Sequence, residues 1–211
     1  MKKTLLIVSM LALACAVAFA ATNLVSFGDM ESGSATSWME EGSTLKYVKG
    51  SGIDGSTALQ VKNKESWAGV GLDVTKIIDR TKSYYIECWI KLGRAPKNET
   101  KASITLEFRP DQLQGYGEDW ESYGYVQTDF DFDFEDPKYP ITGNEVVVNK
   151  DEWVHLSGVI RPDMMGDLTD NHGVAITRPI TGVTCYFKVE PATGMTYLVD
   201  NVLIIEIPNV D

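Results

Sequence analysis

The sequence predicts an all-β fold. Three observations predict it: apolar residues recur with a period of two, turn signals separate the runs, and no window carries a convincing apolar period of 3.6 with caps. The first short candidates are 44–49 and 58–62, parted by Gly50-Ser51-Gly52 and Asp54-Gly55. Residues 74–80 are the one partial exception, at most a turn or two of helix. Residues 84–92 give the clearest strand. Tyr84, Ile86, Cys88, Ile90 and Leu92 share one face, and Tyr85, Glu87, Trp89 and Lys91 share the other. Residues 102–109 repeat the pattern, with Ile104, Leu106 and Phe108 inward and Thr105, Glu107 and Arg109 outward.

Residues 110–142 are irregular. Their first part is rich in glycine and aromatics, including Tyr116, Trp120, Tyr123 and Tyr125. Residues 129–136 then alternate Asp and Phe. Phe130, Phe132 and Phe134 can enter the core together, while Asp129, Asp131, Asp133 and Glu135 line the other face. That acidic row reads as a solvated edge strand whose charges block aggregation, with a cation site as the alternative. Strand signals resume at 145–149 and 153–160. In the latter, Trp153 is expected to fill the core, although either face could be buried. At 183–190, Val183, Cys185, Phe187 and Val189 face one way, and Tyr186, Lys188 and Glu190 the other. Residues 196–207 form the last strand. Many short strands with regular turns indicate a sandwich or barrel.

The chain opens on a processing signal, residues 1–20. Lys2 and Lys3 precede an apolar run, and Ala18-Phe19-Ala20 ends it. The run is too short for a comfortable membrane span, and no later stretch approaches one. Cys15 offers a lipoprotein anchor as a second option, with a poor lipobox before it. An exported protein is therefore expected: extracellular, periplasmic or at the cell surface. Residues 21–211 are expected to form one domain.

The chain holds 19 basic and 30 acidic residues, a net charge of −11. Such a surface disfavours nucleic acid and anionic lipid, and suits a neutral partner or a bound cation. Plain solubility would explain it equally. Past the leader only Cys88 and Cys185 remain. Export permits a disulfide, and two separately buried thiols fit as well.

No catalytic motif is found. His155 and His172 are the only histidines, and neither sits in a metal-ligand cluster. There is no nucleophile elbow and no phosphate-cradling loop. Glu118, Asp119 and Glu121 form the nearest carboxylate group, in a glycine-rich loop where solvent-facing polarity explains them.

Five Trp and nine Tyr carry more information. Trp89 shares its face with Glu87 and Lys91, and Tyr186 lies beside Lys188 and Glu190. A flat ring among polar side chains suits a sugar, whose C–H face stacks while its hydroxyls meet the polar groups. The alternative is that a second layer covers these rings. Strand parity thus selects Tyr85, Trp89 and Tyr186 as stacking surface, with Glu87 and Glu190 as hydrogen-bond acceptors. Tyr116 and Trp120 are weaker additions.

These pieces together resemble a known family. Asn23-Leu24-Val25-Ser26 with Met30-Glu31-Ser32-Gly33, then Trp38, Ser51-Gly52, Gly55, Ala58-Leu59-Gln60-Val61, Trp67-Ala68-Gly69, the strand from Tyr84 to Lys91, Trp153 with Gly158, and Val199-Asp200-Asn201-Val202 follow one another in the order seen in carbohydrate-binding modules of the cellulose- and xylan-binding type, families four, nine and twenty-two. Phe27-Gly28-Asp29 and Asn201 depart from the pattern, and 110–142 is an insertion.

The resemblance implies a jelly-roll sandwich of two antiparallel sheets and a concave sheet that holds a glycan chain. It adds Trp67 to the stacking residues. It implies a structural calcium at Glu31 and Asp200, completed by backbone oxygens near 49–52. It also places the strands of Cys88 and Cys185 in one sheet. The function expected is non-catalytic binding of a polysaccharide, of β-glucan or xylan class, beside a separate glycan-degrading enzyme or envelope component. Alternatives are a structural or adhesive envelope protein without a glycan site, and a jelly-roll enzyme.

Overall fold

The computed structural model describes residues 22–94, 99–110, 126–128, 130, 135–143, 145–150, 152–169 and 175–209. The leader, the acidic row apart from Glu135, Tyr116 and Trp120 lie outside these residues.

Strands β1 (Met39–Glu41), β2 (Ser43–Val48), β3 (Ala58–Asn63), β4 (Gly69–Asp73), β5 (Ser83–Leu92), β6 (Thr100–Pro110), β7 (Val126–Thr128), β8 (Glu145–Val148), β9 (Val154–Ile160), β10 (Ile180–Glu190) and β11 (Thr196–Ile207) form two antiparallel sheets. The first runs β1-β4-β10-β6-β7, with β8 also pairing β6. The second runs β2-β3-β11-β5-β9. This is the jelly-roll sandwich that the sequence leads one to expect.

The inward face of β5 matches its alternation. Tyr84, Ile86, Cys88, Ile90 and Leu92 are buried in one cluster with Ile104, Leu106, Phe108, Cys185, Phe187 and Val189 from the opposite sheet. Tyr197 of β11 spans the gap, its hydroxyl donating to the Phe187 carbonyl at 2.8 Å. Phe130 also enters this core, its ring filling the space over Gly158. The chain ends meet: the Leu24 amide donates to the Ile204 carbonyl, and the Val202 amide to Gly28. Gly28 permits that approach, because a Cβ there would fall 1.9 Å from the Val202 carbonyl oxygen.

Four expectations change. β4 forms where two glycines, Gly69 and Gly71, blur the strand signal. Residues 74–80 make one hydrogen-bonded turn, within what was expected of them, whereas an unexpected short helix, α1 (Pro162–Gly166), starts at a proline suited to a first turn. Trp153 stays half-buried outside the core, with the Lys91 ammonium 5.0 Å from its ring centroid, because β9 turns Leu156 and Ile160 inward instead. Cys88 lies on β5 and Cys185 on β10, in opposite sheets, so the one-sheet placement is corrected. Both are buried free thiols. Alternation specifies a face within a strand but not the sheet to which the strand belongs.

Candidate functional site

The outer face of the first sheet is built from β10 and β6. Thr184, Tyr186, Lys188 and Glu190 point outward from β10, opposite Glu107, Thr105, Ser103 and Lys101 of β6. On the other side of β10, Gly71 pairs with Tyr186. A Cβ at Gly71 would sit 3.0 Å from the Tyr186 ring, and one at Gly69 would sit 2.8 Å from Lys188 Cγ. The two glycines therefore leave a floor across which Tyr186 and Lys188 lie. Two residues before Gly69, Trp67 is 61 % exposed.

Tyr186 is held on several sides. Its hydroxyl accepts from Arg109 Nη2 at 2.8 Å, and the same guanidinium reaches Glu107 Oε1 through Nε at 2.7 Å. The Lys188 ammonium lies 4.6 Å from the ring centroid. Burial, then the negative charges of Glu107 and Glu41, push the phenol pKa upward, so it stays neutral. Further along, Lys101, Ser103, Thr105, Glu145 and Glu190 line a pocket of about 190 Å³. The Thr105 hydroxyl is buried there without a protein partner. Lys101 and Glu145 pair at 2.7 Å across its mouth.

The second sheet presents Tyr85, Glu87 and Trp89 from β5, with His155, Ser157 and Val159 beside them. Here residues 139–142 cover the face. Tyr85, Val159, Ile205 and Ile207 are buried under Tyr139 and Ile141. The Tyr85 hydroxyl donates to Glu87 Oε2 at 2.7 Å and also lies 3.1 Å from the Pro140 carbonyl. Ser157 donates to that carbonyl and accepts from the Thr142 amide. His155 Nε2 completes the chain at 2.8 Å from Glu87 Oε2, and its ring stacks on Trp89 at 4.8 Å. Burial tends to raise the Glu87 pKa, but hydrogen bonds from His155 and Tyr85 outweigh it and hold the carboxyl below its ordinary value.

The residues expected to line one site are therefore divided. Trp67, Tyr186 and Glu190 accompany the first sheet, whereas Tyr85, Glu87 and Trp89 lie on the outside of the second. Tyr85, 2 % exposed, has its ring committed to packing. Tyr186, 3 % exposed, has its ring committed to its Arg109 and Lys188 contacts and is no open plate. The correction has a plain cause: β5 and β10 both turn an aromatic face outward, but outward means opposite directions in the two sheets. Arg109, Glu107 and Lys188 are the additional groups that the structure brings to Tyr186, and Thr105 is the one it adds to the neighbouring pocket. The signal for them was the outward parity of β6 and the spacing Gly69-x-Gly71.

Glu31 and Asp200 do converge. Both Glu31 oxygens accept from Thr57, one from its amide and one from its hydroxyl. Asp200 Oδ2 accepts from the Ile53 amide at 2.8 Å and Oδ1 from the Asn201 amide at 2.8 Å. Asp200 is fully buried. Burial, and then the Glu31 charge, raise its pKa despite those donors. Among the described residues no lysine or arginine pairs with either carboxylate, and no group of three metal-ligating side chains forms. Buried Asp200 and exposed Glu31, two like charges meeting at the loop 53–57, are carboxylates of the kind that suit a hard cation.

A glycine-floored row of tyrosine, charged and hydroxyl side chains on one sheet of a jelly roll is the candidate binding face of this β-sandwich. Residues 22–124 of the chain match the family described as a carbohydrate binding domain (CBM_4_9). Its fold is similar to the CBM22-1 xylan-binding domain of Paenibacillus barcinonensis Xyn10C, at 19 % identity and TM-score 0.61, covering 92 % of this chain and all of that one. It is also similar to the C-terminal family 22 module of Clostridium thermocellum Xyn10B (16 %, 0.58, 92 % and 99 %). A third likeness is to a putative sugar binding protein of Bacteroides thetaiotaomicron VPI-5482 (12 %, 0.57, 88 % and 100 %). No curated protein matches the chain. Among the described residues no helix is long and apolar enough to cross a membrane.

Proposed function

We propose that this chain is an exported, non-catalytic module that binds a xylan-type polysaccharide on the outer face of its first sheet. The observation that carries the reading is the floor at Gly69 and Gly71. It lets the Tyr186 and Lys188 side chains lie flat across the sheet, so that a sugar chain can pass over Lys188 and stack on the exposed Trp67 ring. Glu190, Ser103, Thr105 and Lys101 offer hydrogen bonds to hydroxyls. The named relatives support the sugar class, since two of them come from proteins whose solved modules are described as xylan-binding or ligand-binding. In one related structure the module is joined to a GH10 module and complexed with xylohexaose, and this chain covers 27 % of it. A partner enzyme is part of the proposal.

Affinity electrophoresis in gels containing xylan, β-glucan or mannan tests it. Xylan should retard the protein most. Trp67→Ala should lose about 2 kcal/mol of binding, roughly thirtyfold in Kd, and keep its melting point. Equal mobility in all three gels by the folded protein would overturn the glycan reading.

The proposal includes a structural calcium at Glu31 and Asp200. Bound only by the folded state, it would raise the melting point with concentration. In chelator, the raised Asp200 pKa means that the folded state binds a proton more tightly than the unfolded one. Stability from this group should then increase as pH falls through the raised value toward the ordinary 3.9 or so. Asp200→Asn should remove both the calcium response and that pH trend. A melting point indifferent to chelator would reject the ion.

A further inference from the structure

The outside of the second sheet is not wholly covered. Next to the segment 139–142, Asn23, Asp29, Glu87, Trp89, Asn201, Val202 and Leu203 line a recess of about 230 Å³. Its origin is a β-bulge. β11 pairs Asp200 with Trp89 and Leu203 with Glu87, so two residues, Asn201 and Val202, stand against the single Cys88 of β5. Asn201 takes φ = 47°, a left-handed conformation that asparagine tolerates. The bulged residues Asn201 and Val202, with Leu203, line the recess opposite Trp89.

The wall of this recess is fixed in advance. Trp89 leans on His155, with ring planes 32° apart. His155 is tied to Glu87, and Glu87 to Tyr85, which is packed under Tyr139. On the other side, Asn23 is locked by its bonds to the Val202 carbonyl and to the Val25 and Ile204 amides. Asp29 Oδ1 accepts from the Glu31 amide. A ring whose orientation is already set loses little freedom when a ligand stacks on it.

We propose that this recess is a second saccharide subsite, which takes one neutral sugar unit, a chain end or side branch, independently of the groove on the first sheet. The chemistry favours that class. An aromatic wall suits the C–H face of a pyranose, and carboxylates and an amide suit its hydroxyls. Asp29 and Glu87 make the lining negative, which disfavours a uronic acid or a sulfated sugar. At about 230 Å³ the recess fits a unit rather than a long chain. Two subsites on opposite faces would let one module hold two chains, and linked binding gains from effective concentration.

The proposal rests on the polysaccharide reading, and the test separates the two. An isotope-labelled sample, kept in calcium throughout, is titrated with xylose and then with xylohexaose while amide and indole resonances are followed. The Trp89 indole and the Asn201 and Leu203 amides should shift with xylose along a saturable curve. The Gly71 amide and Trp67 indole should follow a separate curve with xylohexaose. In Trp67→Ala, the xylose response at Trp89 should persist, with the groove response reduced at least tenfold. In Trp89→Leu the reverse should hold. Shifts confined to the groove overturn the second subsite and leave the polysaccharide reading standing. Shifts at neither place overturn both. Should Trp89→Leu fail to fold, the titration of the parent and of Trp67→Ala still decides.

Discussion

The outward rows of β5 and β10 look alike on paper, and the molecule treats them differently. Each sets an aromatic ring, a carboxylate and a lysine on the solvent side of its strand. On β10, the neighbours are two glycines and hydroxyl or charged side chains of β6, so the row keeps its polar surroundings and a pocket opens beside it. On β5, the neighbours at one end are Val159, Ile205 and Ile207, and Tyr139 and Ile141 come down on them. An apolar neighbour set recruits cover, because buried apolar area stabilises at roughly 25 cal/mol per Å². A polar set with glycines does not. The residues on the adjacent strands, rather than the row itself, decide what covers an outward aromatic: Tyr186, 3 % exposed, lies among charged side chains, and Tyr85, 2 % exposed, under an apolar segment.

Removing the packed Tyr85 ring should have the largest effect. Tyr85→Ala should cost about 3–5 kcal/mol, as large-to-small core changes do, and should lower the melting point by on the order of 10 °C. Trp67→Ala, on the open side, should change stability by no more than about 0.5 kcal/mol. Thermal denaturation of the two variants side by side reads the contrast. Similar losses would mean that the two faces are equally structural.

A smaller effect should follow from Tyr186→Phe. It removes the acceptor for Arg109 while keeping the ring, so about 1 kcal/mol of stability is at stake. Xylan affinity should fall as well if the Arg109–Tyr186 contact shapes the groove. Urea unfolding and affinity electrophoresis on the same sample measure both. An unchanged affinity would make Tyr186 purely structural.

The smallest effect concerns pH and the covered face. The Glu87 carboxyl has a folded pKa below its unfolded value of about 4.3. Its contribution is therefore present above that value and is lost as pH falls through the folded pKa. Glu87→Gln should be less stable than the parent at pH 7, and the gap should narrow by pH 3. Urea midpoints at the two pH values check this, and a constant gap would show that the His155–Glu87–Tyr85 chain contributes no charge-dependent stability.

Much of the fold was legible from residues alone, for a local reason. Alternation is a property of consecutive side chains, so the inward sets of β5, β6 and β10 could be read without knowing any partner strand. The order of weak motifs from Asn23 to Val202 then pointed to the jelly roll and to Glu31 with Asp200. Both carboxylates do meet at the loop 53–57. Three things needed the tertiary structure. One was the sheet to which each strand belongs, which put Cys88 and Cys185 in opposite layers and divided the expected site between two faces. Another was the cover of Tyr85 by a segment more than fifty residues away in sequence. The last was the bulge at Asn201–Val202, visible only once β11 is laid against β5. All three depend on pairings between residues far apart in the chain. Such pairings follow from the summed packing of both sheets, and no single window of sequence carries that information.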